Sequence, residues 1–245
     1  MRPCPAIRPG PNDDATMMQG RGSHHVTEIE RAAEAIFVST HPVALDAVRV
    51  MRDRTTGTDG FWAAMERLGA VLAVESLKEL PTERVSIATP LAQAVVPALA
   101  RPLPVLVPVL RAGLGLLGPF RALLPASPVG MIGVVRGPDA RPMPYLERLP
   151  CVAPHQPVIV LDPMLATGGS ASFALSRLSE MGVQGSETVL VVAIAVPEGI
   201  ARVKETMPGL RVVAGAVDPG LNERQFIVPG LGDAGDRLFG TPAGE

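Results

Sequence analysis

Cysteine, aromatic side chains and excess charge of either sign are all scarce in this chain of 245 residues, and each scarcity excludes a class of protein. Two cysteines, Cys4 and Cys151, are too few for a metal cluster and a poor basis for a disulfide framework, which fits a reducing, cytoplasmic setting. Aromatics make up 3% of residues, so the core has to be built from Val, Leu, Ile and Ala. A net charge of -2, without a basic stripe, argues against a nucleic-acid partner. Long apolar runs are missing too. The longest, Thr188 to Val196 and Leu103 to Leu110, fall far short of the about 20 residues that a membrane span needs. The N-terminus carries Pro3, Pro5, Pro9 and Pro11 but no continuous apolar segment, so it does not read as a secretory signal. Residues 1–25 are expected to be a disordered extension, with His24 and His25 as solvated tail residues, and residues 26–245 a single domain.

What remains is a chain with 47% apolar residues, enough for a large aliphatic core. Its patterns alternate between helix and strand. Val43, Ala47, Val50 and Met51 share one helical face, and Phe61, Met65, Leu68 and Leu72 share another. Val85 to Ala88 reads as a short strand, followed by a run rich in Ala and Pro. Val105 to Val109, Val129 to Val135, Val158 to Leu161, Val189 to Ala195 and Leu210 to Val217 read as buried strands. A helix carrying Phe173, Leu175, Leu178 and Met181 is expected to stop at Gly182, and Pro197 to open another. Continuous apolar strands separated by helices imply an α/β domain, with a mostly parallel sheet and helices on both faces.

Ligands of such sheets sit beyond the carboxyl ends of the strands, and three strand ends draw notice. The first is PVLRAGLGLLG, where Gly113, Gly115 and Gly118 match GxGxxG and Asp139 follows about twenty residues later. A dinucleotide site is disfavoured here. Pro119 and Pro125 leave little helix, Arg136 stands where the ribose-binding acid belongs, and Arg111 is a fixed cation better suited to a phosphate.

The second strand end is VIVLDPMLATGGSA. Thr167, Gly168, Gly169 and Ser170 can surround a phosphate at a helix N-terminus, but Asp162 would repel that phosphate. A vicinal diol resolves the conflict, because a carboxylate accepts hydrogen bonds from two hydroxyls. The stretch therefore reads as a sugar-phosphate loop. A tight turn with Asp162 as a helix cap stays open as the competing reading. The third stretch is Gly220 to Thr241, with five glycines and three carboxylates. A glycine-rich loop of that length is usually functional, and around Ala234 and Gly235 it is small enough for backbone donors to approach a planar ligand. A surface loop with helix caps is its plainer reading.

VPVLRAGLG, VIVLDPMLATGGS, VPEGI and GLNE with IVPGLGDAGDRLFGT together resemble the uracil phosphoribosyltransferase family, over residues 36–241. The resemblance implies the type I phosphoribosyltransferase fold with a small hood, and formation of UMP and diphosphate from uracil and 5-phosphoribosyl 1-diphosphate. It implies that the segment Asp162, Pro163, Met164, Leu165, Ala166, Thr167, Gly168, Gly169 and Ser170 binds the sugar diphosphate. Arg111 and Arg136 would hold the diphosphate. Ile227, Gly232, Asp233 and Ala234 would meet uracil, with Asp233 also near the diphosphate and its Mg²⁺. Arg111, Asp162 and Asp233 are then the residues expected to carry catalysis. No covalent nucleophile stands out: Cys151 follows Pro150 in a loop, and His155 has no evident acidic partner.

The resemblance also implies a homo-oligomer, and it raises GTP as an effector. Ala44-Leu45-Asp46-Ala47 counts against that effector by removing positive charge where relatives often carry Lys and His. Relatives usually have a Tyr where Val135 precedes Arg136, a longer acidic loop than Gly137 to Arg141, and a Tyr where Phe226 stands. Those departures leave an alternative: a diverged homologue that binds the sugar diphosphate or a nucleotide as a regulator, or that uses a different base.

Overall fold

In the computed structural model, residues 36–136 and 142–241 are described. They fall within one compact unit, Ala35–Glu245. The expected N-terminal extension with Cys4, His24 and His25, the domain start at residue 26, and the loop Gly137 to Arg141 lie outside the described residues.

The path of the central sheet is built, in chain order, from β1 (Ile36–Val38), β4 (Val105–Leu110), β5 (Met131–Arg136), β6 (Pro142–Arg148), β7 (Val158–Leu161), β9 (Thr188–Ala195) and β10 (Arg211–Val217). In space they follow the order β1-β10-β9-β7-β4-β5-β6. A two-residue strand, β8 (Met164–Leu165), runs parallel to the end of β9. All pairings in the path are parallel except that of β5 with β6. Strands β4 and β7 are buried along almost their whole length, as continuous apolar runs with both faces covered must be.

Helices cover both faces. On one lie α1 (Pro42–Arg52), α2 (Thr58–Leu77) and α3 (Leu114–Leu123), with Met51, Phe61, Met65, Leu68, Leu72, Leu116 and Phe120 fully buried. On the other lie α4 (Gly169–Glu180) and α5 (Pro197–Thr206), with Leu175, Leu178 and Val203 packed on β7, β9 and β10. Pro197 occupies the first turn of α5, and Gly182 has φ +89° just after α4, as the sequence predicts.

Several elements depart from the sequence reading. The run rich in Ala and Pro forms β3 (Gln93–Leu99), which pairs antiparallel with β2 (Thr82–Ala88) as a separate two-stranded sheet. Strand β6 carries Pro142 and Pro144, which an edge position tolerates because one side of its backbone needs no partner. Strand β1 is three residues long, too short to show a period. Helix α3 runs for ten residues despite Pro119 inside it. The ring packs beside Gly69 of α2, where a Cβ would come within 3.0 Å of Pro119 Cγ, and the burial of Leu116 and Phe120 outweighs one lost backbone bond.

Candidate functional site

The carboxyl ends of β4, β5 and β7 face the same edge of the sheet, because all three run parallel in adjacent positions. At the end of β4 the chain turns at once through Arg111. Gly113 sits so close to the neighbouring strand that a Cβ there would lie 2.4 Å from the Leu161 carbonyl and 2.5 Å from that of Val109. A Cβ on Gly115 would meet Leu238 at 2.9 Å. These two glycines permit strand and helix packing, which accounts for the first two positions of the GxGxxG match without a dinucleotide. The prolines do not leave the segment short of helix as expected, since α3 forms.

Arg111 is half exposed and aimed at the C-terminal loop. Its Nη2 lies 3.4 Å from Asp236 Oδ1, and its guanidinium is 5.9 Å from the centre of the Phe239 ring. Arg136 ends β5, the strand beside β4, so the two arginines follow adjacent strands.

Asp162 follows β7 directly and is buried, with 8% exposure. Its backbone N–H donates to the Val191 carbonyl at 3.1 Å, which fixes the chain between β7 and β9. Burial pushes the Asp162 carboxyl up to about 7, against a smaller opposing pull from the Met164 N–H. It has no ion pair with any described residue. From there the chain is stitched to β9: Ala193 and Ile194 N–H both donate to the Pro163 carbonyl at 3.0 Å, and Val196 N–H donates to that of Leu165 at 3.1 Å.

The loop Ala166-Thr167 then enters α4. Gly168 is the residue before that helix, with φ +74°, a conformation that favours glycine. Asp162 is therefore not the cap of α4, and that competing reading is excluded. The first amides of α4 have no side-chain cap among the described residues, so they remain open to an anion. Behind the loop, a Cβ on Gly199 of α5 would be 2.3 Å from the Ala166 carbonyl, which accounts for the glycine of VPEGI.

The C-terminal segment forms the third part. Strands β11 (Gly220–Leu221) and β12 (Ile227–Val228) pair antiparallel, with Asn222 Oδ1 accepting from Arg224 and Phe226 N–H at 3.0 Å each. Ile227 is buried, and Gly230 has φ +59°, where a Cβ would overlap the Ile227 carbonyl at 2.1 Å. Gly232 and Asp233 are exposed, Ala234 is buried, and Asp233 Oδ1 accepts from Asp236 N–H at 3.0 Å at the start of α6 (Ala234–Phe239). The plainer reading of this loop as helix capping is thus correct for one oxygen of Asp233. No group of three or more His, Cys, Asp and Glu side chains is gathered among the described residues. The exposed Asp233 carboxylate could hold a divalent cation only together with oxygens from a ligand.

Several supporting residues are not evident from the sequence. Arg52 forms a two-pronged ion pair with Asp218, Nη1 to Oδ2 at 2.8 Å and Nη2 to Oδ1 at 2.6 Å. Arg52 also donates to the Gly230 carbonyl at 3.0 Å, and Gly230 N–H donates to Asp218 at 2.9 Å, so the pair grips both sides of one glycine. Arg237 donates to the carbonyls of Met51, Leu231, Asp53 and Thr56 and lies 4.4 Å from the centre of the Phe61 ring. Arg202 of α5 donates to the Thr167 carbonyl at 3.2 Å. One signal was available: Asp218-Pro219 repeats the pattern of a buried strand ending in Asp-Pro. His155 does have an acidic partner, since its Nδ1 lies 2.7 Å from Glu187 Oε1. A separation of 32 positions in sequence hides the pair, which precedes β7 and β9 at the opposite edge of the sheet from Asp162.

The adenine phosphoribosyl transferase of Trypanosoma brucei, solved with AMP, pyrophosphate and ribose-5-phosphate, shares the fold. Its TM-score is 0.51 at 13% identity, with 78% of this chain and 86% of that chain covered. The fold is that of the type I phosphoribosyltransferases. The match to one branch is much tighter. The model of the uracil phosphoribosyltransferase family matches residues 38–241. The uracil phosphoribosyltransferase of Thermoanaerobacter sp. (strain X514) is 42% identical over 207 residues, 84% of this chain and 98% of that protein. The AQ2163 protein from Aquifex aeolicus has a TM-score of 0.78 at 33% identity, covering 83% of this chain and 97% of that chain. This chain belongs to the uracil phosphoribosyltransferase family.

Proposed function

We propose that this protein transfers the phosphoribosyl group of 5-phosphoribosyl 1-diphosphate to uracil, giving UMP and diphosphate. One observation carries the site assignment: a buried, unpaired carboxylate, Asp162, stands one short loop before the uncapped amides of α4. Hydroxyls of a ribose satisfy the first and a 5-phosphate the second, with Pro163, Met164, Leu165 and Ala166 setting the distance between them. Thr167, Gly168, Gly169 and Ser170 supply amides and hydroxyls to the phosphate. Uracil lies against Ile227, Gly232, Asp233 and Ala234, where main-chain groups pair with its polar edge.

In the reaction the bond from ribose C1 to the diphosphate oxygen breaks, and its electron pair leaves with diphosphate. Uracil N1 forms the new bond to C1, and the N1 proton passes to solvent. Arg111 and Arg136 stabilise the charge that grows on the leaving group. Mg²⁺ bound to the diphosphate, near Asp233, would neutralise part of the same charge. Asp162 holds the ring through its hydroxyls, and the base segment holds uracil in line. Such positioning can contribute several kcal/mol, on the order of 7 or more in favourable cases.

A homo-oligomer goes with this reading, supported by the hairpin of β2 and β3, which exposes Ile87, Leu91 and Val95. So does a cytoplasmic location, since Cys151 is an exposed free thiol of the kind that reducing compartments preserve. No described helix is long and apolar enough to cross a membrane. The stretch Ala44-Leu45-Asp46-Ala47 carries no positive charge and so offers a GTP effector no cation.

The test is to incubate purified protein with Mg²⁺, 5-phosphoribosyl 1-diphosphate and each pyrimidine or purine base, and to identify nucleotide by mass. UMP is the expected product. A different nucleotide would reassign the base, and no nucleotide despite intact binding of the sugar diphosphate would make the protein a regulator.

A further inference from the structure

The stretch Asp162 to Ala171 contains no Lys or Arg. A 5-phosphate bound there would meet amides, hydroxyls and a helix dipole, with the Asp162 carboxyl close by and no cation of the loop's own. The fold supplies one from another element. Arg202, on the second turn of α5, lies along the loop: its Cβ and Cδ are each 3.5 Å from where a Cβ of Gly168 would be. Its Nη1 is 4.0 Å from the corresponding point on Gly169, the first residue of α4, and it donates to the Thr167 carbonyl at 3.2 Å. Arg202 is exposed, and no described carboxylate pairs with it. The absent side chains of Gly168 and Gly169 leave room for the guanidinium beside the helix start.

We propose that Arg202 is a phosphate-binding residue of this site, reaching over Gly168 and Gly169 to pair with the 5-phosphate of the sugar diphosphate and of the product nucleotide. The inference rests on the phosphoribosyl reading above. A guanidinium has donors to spare, so one N–H keeps the Thr167 carbonyl while others face the phosphate. Its charge complements a group of about -1.5 to -2 at neutral pH. Distance along the chain explains why the motif does not reveal it: Thr167 and Arg202 are 35 residues apart.

The experiment compares wild type, R202K and R202Q by titration calorimetry with UMP, and measures the KM for uracil and the Tm of each. R202Q is expected to weaken UMP binding about 10-fold, as loss of a charge-assisted contact does. R202K is expected to recover part of that loss, with KM for uracil within about twofold and Tm unchanged. The weakening should shrink as salt is raised. UMP affinity within about twofold of wild type in R202Q would overturn the inference. So would a matching rise in the KM for uracil together with a lower Tm, which would make Arg202 a support for loop shape alone. A wild-type protein that binds neither UMP nor the sugar diphosphate would contradict the functional reading itself, a result distinct from either.

Discussion

Two aspartates stand in the same local setting and have opposite fates. Asp162 follows β7 and Asp218 follows β10; each precedes a proline, and both are buried, at 8% and 4% exposure. Burial is the largest influence on each and raises each pKa. At Asp218 the Arg52 guanidinium and the Gly230 N–H more than offset it, and the carboxyl sits below its ordinary value. At Asp162 only the Met164 N–H opposes it, and the carboxyl is pushed up to about 7. One aspartate is satisfied by the protein and holds a loop in place. The other is left for a ligand to satisfy. A strand ending in Asp-Pro places an acid at the binding edge of the sheet, and the partner decides what that acid does.

The pairing of Asp218 is where the largest effect is expected. Asp218→Ala leaves Arg52 without its anion and the Gly230 N–H without its acceptor. The expected cost is about 2–4 kcal/mol, since Arg52 is 26% exposed and the loss falls short of that for a fully buried pair. Thermal unfolding should show Tm lower by about 5–10 °C. Because the folded-state pKa is depressed, this stabilisation is present above the ordinary value of 3.8 and is lost as pH falls through the folded pKa.

Asp162→Asn should behave the other way. Turnover falls, with kcat/KM for the sugar diphosphate down ~10-fold or more from the loss of a charge-assisted contact. Stability does not fall. A raised folded pKa means that wild type loses stability, relative to Asp162→Asn, as pH rises from about 4 to about 7. The substituted protein should therefore melt higher than wild type at pH 8, with the gap closing near pH 4, as paired melting curves would show. An unchanged kcat/KM would remove Asp162 from the ribose.

A smaller effect concerns pH alone. The hydroxyls need the ionised carboxylate, so affinity for the sugar diphosphate should drop as pH falls below about 7 in wild type, and less steeply in Asp162→Asn. The smallest is His155→Ala. That side chain is 91% exposed at the far edge of the sheet, and its removal should leave kcat/KM within about twofold.

These contrasts also mark what a linear sequence conveys. Asp162 is legible because the apolar run before it and the glycines after it lie in one stretch, so the clash between acid and phosphate is visible and informative. Asp218 shows the same local signal, but its meaning depends on Arg52, 166 residues away. Arg202 and Arg237 escape notice for the same reason: each acts on carbonyls of distant segments. Buried strands β7 and β9 are plain as continuous apolar runs. Strand β6 is masked by Pro142 and Pro144, whose missing N–H groups matter little on an edge. The register shift between Gly133 and Val134 in β5, where a Cβ on Gly133 would overlap the Tyr145 ring at 2.5 Å, likewise has no trace in periodicity. Helix α3 is obscured by Pro119, whose cost is offset by packing on Gly69 that only the tertiary structure displays.

The most direct test of the contrast is the proton balance of ligand binding. Calorimetric titration of 5-phosphoribosyl 1-diphosphate with Mg²⁺ at pH 6.5, in buffers of differing ionisation enthalpy, counts the protons exchanged. The ligand's own phosphates contribute equally to wild type and to Asp162→Asn, so the difference between the two proteins reports the Asp162 carboxyl. A carboxyl held near 7 in the free protein and ionised by ribose hydroxyls predicts that wild type releases more protons than Asp162→Asn, by about half a proton per site or more. Equal proton release in the two proteins would contradict the claim that Asp162 is kept unpaired for the sugar.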